Sequence, residues 1–280
     1  TGASTGLGKE ATRSLVERGD TFVIMACRDV DKAQRVAEEL RLNKDNYQII
    51  PLELSSLEST REFVRKLKAY KGSKPIDTLV CNAAVYRPTD PVPQFTEDGF
   101  EMSLQVNHLS HFLLVQLLLD DLKRSKDPRC IVVGSITGNT NTIGGGFVYP
   151  QADLGVLKGL ERSLAEPGKG DFKTAMIDGK AFNGAKAYKD SKVCNMMTVT
   201  ELHNRYHDET GINFMSLYPG CIATTSLFRE KRLWFRVWFP WFMKFVTGGF
   251  VSEEESGDRL AQVVTDERCR KSDVYWPWNG

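Results

Sequence analysis

The sequence lacks the patterns that metal centres, disulfide frameworks and membrane spans require. Its six cysteines are scattered without a C-x-x-C pair, and its four histidines show no metal-ligand spacing, so a zinc site is not expected. Unpaired cysteines in a chain of this length favour a reducing compartment. No apolar run reaches the roughly 18 residues that span a bilayer, and no signal peptide is recognisable.

The chain also carries almost no net charge. A balance of +1 over 280 residues gives no overall field that would attract nucleic acid or an anionic membrane. With 41% hydrophobic and 26% charged residues, the composition is that of a soluble globular protein and excludes a disordered or fibrous chain.

Short apolar segments alternate with helical patterns through most of the chain. Strands are predicted at residues 21–26, 47–54, 76–81, 129–135 and 212–218, and helices at 31–42, 57–69, 98–122 and 187–207. Buried strands alternating with helices indicate a parallel sheet wound on both faces. The predicted fold class is therefore α/β, a single doubly wound, Rossmann-like domain over residues 1–280.

Two segments interrupt this alternation. Residues 139–186 have no strand pattern and are predicted to be an insertion before the helix at 187–207. Residues 227–250 are rich in aromatic and basic residues, Phe228 among them. So many aromatic side chains need a core, a ligand, a partner or a membrane surface. Core packing against a bound ligand is the first interpretation, and membrane contact or an oligomer surface is the second.

The chain opens with a glycine-rich turn that leads into a helix. Glycines at such a turn let backbone N–H groups approach a pyrophosphate at the helix N-terminus. A plain strand–helix turn is the alternative, and the strand expected before the turn is absent from the sequence. The candidate cofactor-binding residues in this turn are Gly2, Ser4, Thr5, Gly6, Leu7 and Gly8.

Residues at the ends of the following strands indicate which dinucleotide is bound. Arg28 stands where an NAD site usually has an acidic residue, and a guanidinium suits the 2′-phosphate of NADPH. A solvated surface arginine is the alternative. Further candidates for the cofactor site, near the adenine and along the dinucleotide, are Glu53, Leu54, Asn82, Ala83 and Ala84. Asn82 also fits a simple turn residue.

A tyrosine and a lysine form the strongest local signal. Tyr188 and Lys192 lie one helical turn apart on the same face. A nearby ammonium stabilises phenolate and lowers the tyrosine pKa, which makes the phenol a usable proton donor. An exposed Tyr–Lys pair on an amphipathic helix is the alternative.

These motifs occur in a fixed order, and in that order the chain resembles the short-chain dehydrogenase/reductase family. The order is the T-G-x-x-x-G-x-G opening, then N-A-A, then a serine after a strand, then Y-x-x-x-K. The resemblance implies catalytic roles for Ser135, Tyr188, Lys192 and Asn107, with Thr137 as the neighbouring alternative to the serine. It also implies nicotinamide contacts at Pro219 and Gly220.

Three stretches, 132–140, 186–195 and 217–223, resemble the light-dependent protochlorophyllide reductases within that family. Ser135 and Tyr188 are 53 positions apart, against about a dozen in ordinary members, and an extra segment of this size beside a site is usually functional. The resemblance places Tyr218 and Cys221 at the substrate, with Thr137 and Phe228 as further candidates. A small buried thiol is the alternative for Cys221.

The resemblance implies light-dependent reduction of the ring D double bond of protochlorophyllide by NADPH, with Tyr188 as proton donor and Cys221 as its competitor. It also implies a plastid protein associated with thylakoids, or a cytoplasmic or thylakoid-associated one in a cyanobacterium. Residues 227–250 are expected to make peripheral membrane contact or to support homo-oligomerisation. The alternatives are a light-independent carbonyl reductase or retinol-dehydrogenase-like enzyme of the same family, and a non-catalytic nucleotide-binding scaffold.

Overall fold

The computed structural model describes residues 1–138, 146, 148–165, 175–220 and 251–277. The strands are β1 (Val23–Cys27), β2 (Tyr47–Pro51), β3 (Thr78–Cys81), β4 (Arg129–Val133), β5 (Asn213–Leu217) and β6 (Val274–Trp276). The helices are α1 (Gly6–Glu17), α2 (Val30–Glu39), α3 (Leu57–Lys71), α4 (Met102–Leu104), α5 (Ser110–Leu122), α6 (Lys158–Ala165), α7 (Gly184–Thr210) and α8 (Glu253–Thr265).

All of these strands pair in parallel. β1 pairs with β2, and a second sheet has the order β3-β4-β5-β6. The first two residues of the chain lie between the two sheets, because Thr1 donates from its nitrogen to the carbonyl oxygen of Val80 at 2.8 Å and Gly2 donates to that of Ala26 at 3.0 Å. The predicted parallel α/β fold is confirmed.

β4 lies in the middle of the larger sheet and shows how the helices cover both faces. Successive residues of a strand point to opposite faces. Cys130 and Val132 pack in the cluster that includes residues of α3 and α5, whereas Ile131 and Val133 pack with residues of α1 and α8. The core therefore consists of two apolar layers on either side of a fully buried strand.

The helix predicted at 98–122 starts later than expected and is interrupted. It begins at Met102 because the Glu101 carboxylate accepts a hydrogen bond from the Leu104 N–H at 2.9 Å. A π-helical turn, Gln105–Leu109, then joins α4 to α5. The helix predicted at 187–207 begins earlier, at Gly184, because Asn183 caps the N–H of Lys186 at 3.0 Å.

The sequence patterns did not predict α8 and β6. α8 packs on α1 at Gly257, where an added Cβ would lie 2.4 Å from the Cβ of Glu10. β6 has three residues, and such a short strand leaves too little alternation to be recognised. Among the described residues, no helix has both the length and the apolar character needed to cross a membrane. The cysteines in that part of the chain are buried free thiols.

Candidate active site

In the N-terminal turn, the backbone at Gly8 packs very closely against the backbone at Gly2. Gly2 and Gly6 have φ angles of 66° and 51°, a region that glycine adopts without strain. A Cβ on Gly8 would lie 2.2 Å from the carbonyl oxygen of Gly2 and 2.6 Å from Nδ2 of Asn82. Thr5 caps α1 without a side-chain hydrogen bond. The first N–H groups of the helix are therefore not taken by that side chain.

Asn82 closes this turn from the end of β3. Its Nδ2 donates to the carbonyl oxygen of Thr1 at 2.9 Å, and the N–H groups of Asn82 and Ala83 both donate to Oγ1 of Thr1 at 3.0 Å. The Thr1 hydroxyl contacts Nε2 of His111 at 2.9 Å, and Nδ1 of His111 donates to the carbonyl oxygen of Asn107 at 3.1 Å. Burial lowers the pKa of His111 to about 3, so the ring is neutral and its Nε2 accepts from the threonine.

Arg28 and Glu53 stand together at the ends of β1 and β2. Nε of Arg28 is 3.6 Å from Oε2 of Glu53, and the arginine side chain is 73% exposed. The second carboxylate oxygen of Glu53 accepts from the N–H of Ser55 at 2.9 Å, whereas Leu54 is buried in the core. The guanidinium therefore lies largely in solvent at the end of β1, within ion-pair distance of Glu53.

Tyr188 and Lys192 are both buried, which excludes the exposed surface pair. Nζ of Lys192 donates to the carbonyl oxygen of Val133 at 2.7 Å and lies 5.8 Å from the centroid of the Tyr188 ring. Burial lowers the pKa of Lys192 to about 8. Because Val133 ends β4, this bond fixes α7 directly beside the segment that carries Ser135.

Ser135 and Thr137 form one hydroxyl pair. Their oxygens are 2.9 Å apart, and the N–H of Thr137 also donates to Oγ of Ser135 at 3.3 Å. Ser135 is buried after β4, and Ile136–Gly138 forms a short 3-10 helix. The structure thus keeps both hydroxyls at the edge where α7 meets the sheet.

Asn107 lies in the π-helical turn with every polar atom of its side chain engaged. Its Oδ1 accepts from the N–H of Val85 at 2.8 Å, and its Nδ2 donates to the carbonyl oxygen of Val85 at 3.1 Å and to Oγ of Ser191 at 3.0 Å. Its carbonyl oxygen accepts from Nδ2 of Asn195 at 3.0 Å. Asn107 therefore connects the segment after β3 to α7, between Tyr188 and Lys192.

Three residues that the sequence motifs missed also adjoin Tyr188 or its helix. The Tyr86 ring contacts the Tyr188 ring at a centroid distance of 4.8 Å. Gly184 starts α7 so close to the preceding chain that an added Cβ would lie 2.0 Å from the carbonyl oxygen of Arg87. Tyr275, in β6, lies close enough to Tyr188 to interact with it electrostatically. An aromatic residue shortly after N-A-A was the available signal for Tyr86, whereas Tyr275 belongs to a strand that the patterns did not predict.

The segment preceding α7 is fastened to that helix by charged groups. Oδ2 of Asp190 accepts from Nζ of Lys186 at 2.6 Å, and Oδ1 accepts from the N–H of Asp153 at 2.9 Å. Lys189 donates from Nζ to the carbonyl oxygen of Val148. Burial raises the pKa of Asp190 to about 6. Part of the predicted insertion is thus attached to the same helix turns that present Tyr188.

The segment after β5 completes the described part of the site. The N–H of Tyr218 donates to the carbonyl oxygen of Trp276 at 2.9 Å, and Oγ of Ser256 donates to that of Pro219 at 2.8 Å. Gly220 has a φ of 97°. Cys221, Phe228 and the whole segment 227–250 lie outside the described residues.

This order of elements and side chains agrees with a family model described as short chain dehydrogenase, which matches residues 1–170. The chain belongs to the short-chain dehydrogenase family. As predicted from its motifs, this short-chain dehydrogenase has its glycine turn at the start of α1 and its tyrosine and lysine on the long helix α7.

Curated relatives of this short-chain dehydrogenase extend along its whole length. It is 56% identical to "Protochlorophyllide reductase, chloroplastic" of Cucumis sativus, covering 100% of this chain and 69% of the relative. It is 58% identical to the protein of the same name from Pisum sativum, again over 100% and 69%. For "Protochlorophyllide reductase A, chloroplastic" of Arabidopsis thaliana, the identity is 56% over 100% and 68%.

Solved structures share the fold at much lower identity. "Pseudomonas aeruginosa RhlG/NADP active-site complex" superposes with a TM-score of 0.70 at 20% identity, covering 99% of this chain and 91% of that one. "Crystal structure of NADPH bound carbonyl reductase from chicken fatty liver" has a TM-score of 0.68 at 19% identity, with coverages of 100% and 94%. At these identities, the likeness shows the short-chain dehydrogenase fold.

Proposed function

We propose that this chain reduces the ring D double bond of protochlorophyllide with NADPH in a light-dependent step of chlorophyll biosynthesis. The observation that carries the proposal is the identity of 56–58% along the entire chain with chloroplastic protochlorophyllide reductases. The buried Tyr188–Lys192 pair supports an enzyme, because a nucleotide-binding scaffold would have no need to keep an ammonium desolvated beside a phenol.

The residues present fit NADPH. The N-terminus of α1 has no side-chain cap from Thr5, so its N–H groups suit pyrophosphate oxygens. Gly8 lets the turn close, because an added Cβ would overlap the carbonyl oxygen of Gly2. The exposed guanidinium of Arg28 suits a 2′-phosphate. When bound, NADPH supplies the hydride.

The protein's own groups would handle the proton and the geometry. Tyr188 would donate the proton, and the ammonium of Lys192 would stabilise the phenolate that remains. The carbonyl oxygen of Val133 holds that ammonium in place at 2.7 Å. Ser135 and Thr137 would orient the pigment, while Pro219 and Gly220 would contact the nicotinamide end. Cys221 is the competing proton donor.

The same proposal covers location and contacts. Relatives named chloroplastic support a plastid location, and we infer that the protein associates there with thylakoids. Several large apolar side chains are exposed in the segment before α7, namely Val148, Tyr149, Val156, Leu157 and Leu164. Such a surface suits peripheral membrane contact, and the aromatic and basic composition of residues 227–250 suits it as well. Co-flotation with vesicles of thylakoid lipids tests this contact.

The test of function is an absorption spectrum of protein, NADPH and protochlorophyllide, recorded in darkness and after one flash of light. We expect no product in darkness and conversion to chlorophyllide after the flash. Equal turnover in darkness, or reduction of a lipid carbonyl without pigment conversion, would favour the light-independent reductase instead. In Tyr188→Phe, NADPH binding should persist while product formation falls by roughly 10²–10⁴-fold. Unchanged turnover would remove Tyr188 from this role.

A further inference from the structure

Tyr275 lies in β6, beside the candidate active site. It pairs with Ser216 across β5 and β6, and the next residue, Trp276, accepts a hydrogen bond from the N–H of Tyr218 at 2.9 Å. Val274 and Trp276 pack on the α1 and α8 face of the sheet. Because side chains alternate along a strand, Tyr275 points to the opposite face, where α7 lies.

The Tyr275 ring lies against the backbone that joins the proposed catalytic groups. A Cβ on Gly134 would lie 3.0 Å from Cε2 of Tyr275 and 2.7 Å from Oγ of Ser216. Gly134 stands between Val133, whose carbonyl oxygen binds Lys192, and Ser135. The phenol therefore adjoins the same short segment that positions the lysine and the serine.

The hydroxyl of Tyr275 is buried and has no hydrogen-bond partner among residues 1–138, 146, 148–165, 175–220 and 251–277. Leaving a buried hydroxyl unpaired is unfavourable, and phenylalanine would fill nearly the same space without that penalty. Burial first, and then repulsion from the ionised form of Tyr188, raises the pKa of Tyr275. The group thus stays a neutral donor, facing the site from the side of β6.

We propose that Tyr275 is a substrate-contacting residue whose hydroxyl donates a hydrogen bond to a carbonyl-type oxygen of the bound pigment, either its ring ketone or its carboxylate. This inference rests on the proposed function. A donor left unpaired in the protein alone acquires its partner when the pigment enters, so the interaction contributes to pigment affinity. It leaves the proton transfer to Tyr188.

The test is Tyr275→Phe in the NADPH-loaded protein, compared with wild type and with Tyr70→Phe, a half-exposed tyrosine in a surface stack with Phe22. The pigment Kd, measured by dark titration, should rise roughly 5- to 20-fold, while the NADPH Kd stays within about twofold. Product per flash at saturating pigment should match wild type. Without pigment, the melting temperature should be unchanged or higher, because an unsatisfied hydroxyl has been removed.

Two pigment analogues identify the acceptor, one with the ketone reduced to an alcohol and one with the carboxylate replaced by an alkyl group. For one of them, Tyr275→Phe should no longer weaken binding relative to wild type. An unchanged pigment Kd, or a lower flash yield with unchanged Kd, would overturn the inference while leaving the proposed function intact. If the variant melts below wild type without pigment, the hydroxyl has a structural partner and the inference is equally overturned. Failure of the wild-type protein to bind pigment would instead overturn both proposals.

Discussion

Lys192 donates a hydrogen bond of 2.7 Å from Nζ to the carbonyl oxygen of Val133, and this contact joins the middle of the site to the end of a fully buried strand. The bond satisfies one proton of an ammonium that has lost its water. Burial still lowers the pKa of Lys192 to about 8, so its charge is present at neutral pH and is lost within the range where the protein can be assayed.

The first prediction concerns pH. Because a charged Lys192 stabilises the phenolate left after proton transfer, the rate of the protonation step should fall as pH rises through about 8, the folded pKa of this lysine. The measurement is the rate of the dark step after a flash, between pH 6.5 and 9.5.

Lys192→Arg is the matched variant for this prediction. A guanidinium stays protonated throughout the range, so any activity that remains should show no fall near pH 8. A fall at the same pH in the arginine variant would assign the titration to another group. The same lysine has a different effect on stability. Between its folded pKa of about 8 and its unfolded pKa near 10.4, the unfolded chain binds more protons than the folded one. The contribution of Lys192 to the free energy of unfolding therefore increases as pH rises through this range.

Arg28 gives a prediction about cofactor choice. Arg28→Ala should raise the Kd of NADPH by roughly 10- to 100-fold, since a charge-assisted bond to phosphate contributes about 1.5–3 kcal/mol. The Kd of NADH should change less than about twofold, because that cofactor lacks the 2′-phosphate. Both constants can be measured by fluorescence titration.

Two controls separate the phosphate contact from surface charge in general. Arg18→Ala removes an arginine whose partner is Asp20 at 3.0 Å, and such exposed pairs contribute little; it should leave both Kd values unchanged. Arg205→Ala likewise removes an exposed arginine, paired with Glu201 at 2.5 Å, and should also leave both Kd values unchanged. Equal weakening of NADPH and NADH by Arg28→Ala would show that the phosphate is held elsewhere.

The sequence predicted most of the parallel sheet and the residues at its carboxyl edge, because these depend on local patterns. Tyr188 and Lys192 share a face through helical spacing alone, and the glycine turn is recognisable from its letters. Sequence patterns did not predict Tyr275 as a site residue, because its strand has three residues and its place beside Gly134 depends on pairing with a distant strand. The contacts of Asn107 with Val85 and Ser191 could not be predicted for the same reason, because they join parts of the chain that no local pattern relates.

Asp190 gives a prediction about stability. Its folded pKa of about 6 lies above the reference value near 3.9, so between these values the folded state binds more protons than the unfolded chain. This residue therefore stabilises the fold increasingly as pH falls from about 6 to 4. The free energy of unfolding of wild type minus that of Asp190→Asn, from urea titrations, should grow over this range.

Asp178→Asn is the matched control with the opposite sign. Burial alone would raise the pKa of Asp178, but hydrogen bonds from the N–H of Lys180 and from Lys186 hold the pKa below its usual range. Its contribution is therefore present above about pH 4 and is lost at lower pH. If the difference in free energy of unfolding from wild type had the same pH dependence in both variants, the raised pKa of Asp190 would be contradicted.

The glycine turn gives the last prediction. Gly8→Ala places a methyl group 2.2 Å from the carbonyl oxygen of Gly2 and 2.6 Å from the amide of Asn82, so the turn itself must move. Because the N–H groups of this turn are proposed to bind the pyrophosphate, NADPH affinity should fall at least 10-fold even where the variant is fully folded. Isothermal titration at low temperature measures this.

Gly257→Ala separates binding from folding in this last case. Its methyl group would lie 2.4 Å from the Cβ of Glu10 and 2.7 Å from the N–H nitrogen of Ala11, an equally severe overlap that pushes α8 away from α1 while leaving the turn alone. It should lower the melting temperature by several degrees, as overpacking of roughly 1–3 kcal/mol does, yet retain NADPH binding in the cold. If both variants lost NADPH affinity equally, the overlap at Gly8 would act through general destabilisation. The proposed role of the turn in binding the cofactor would then be contradicted.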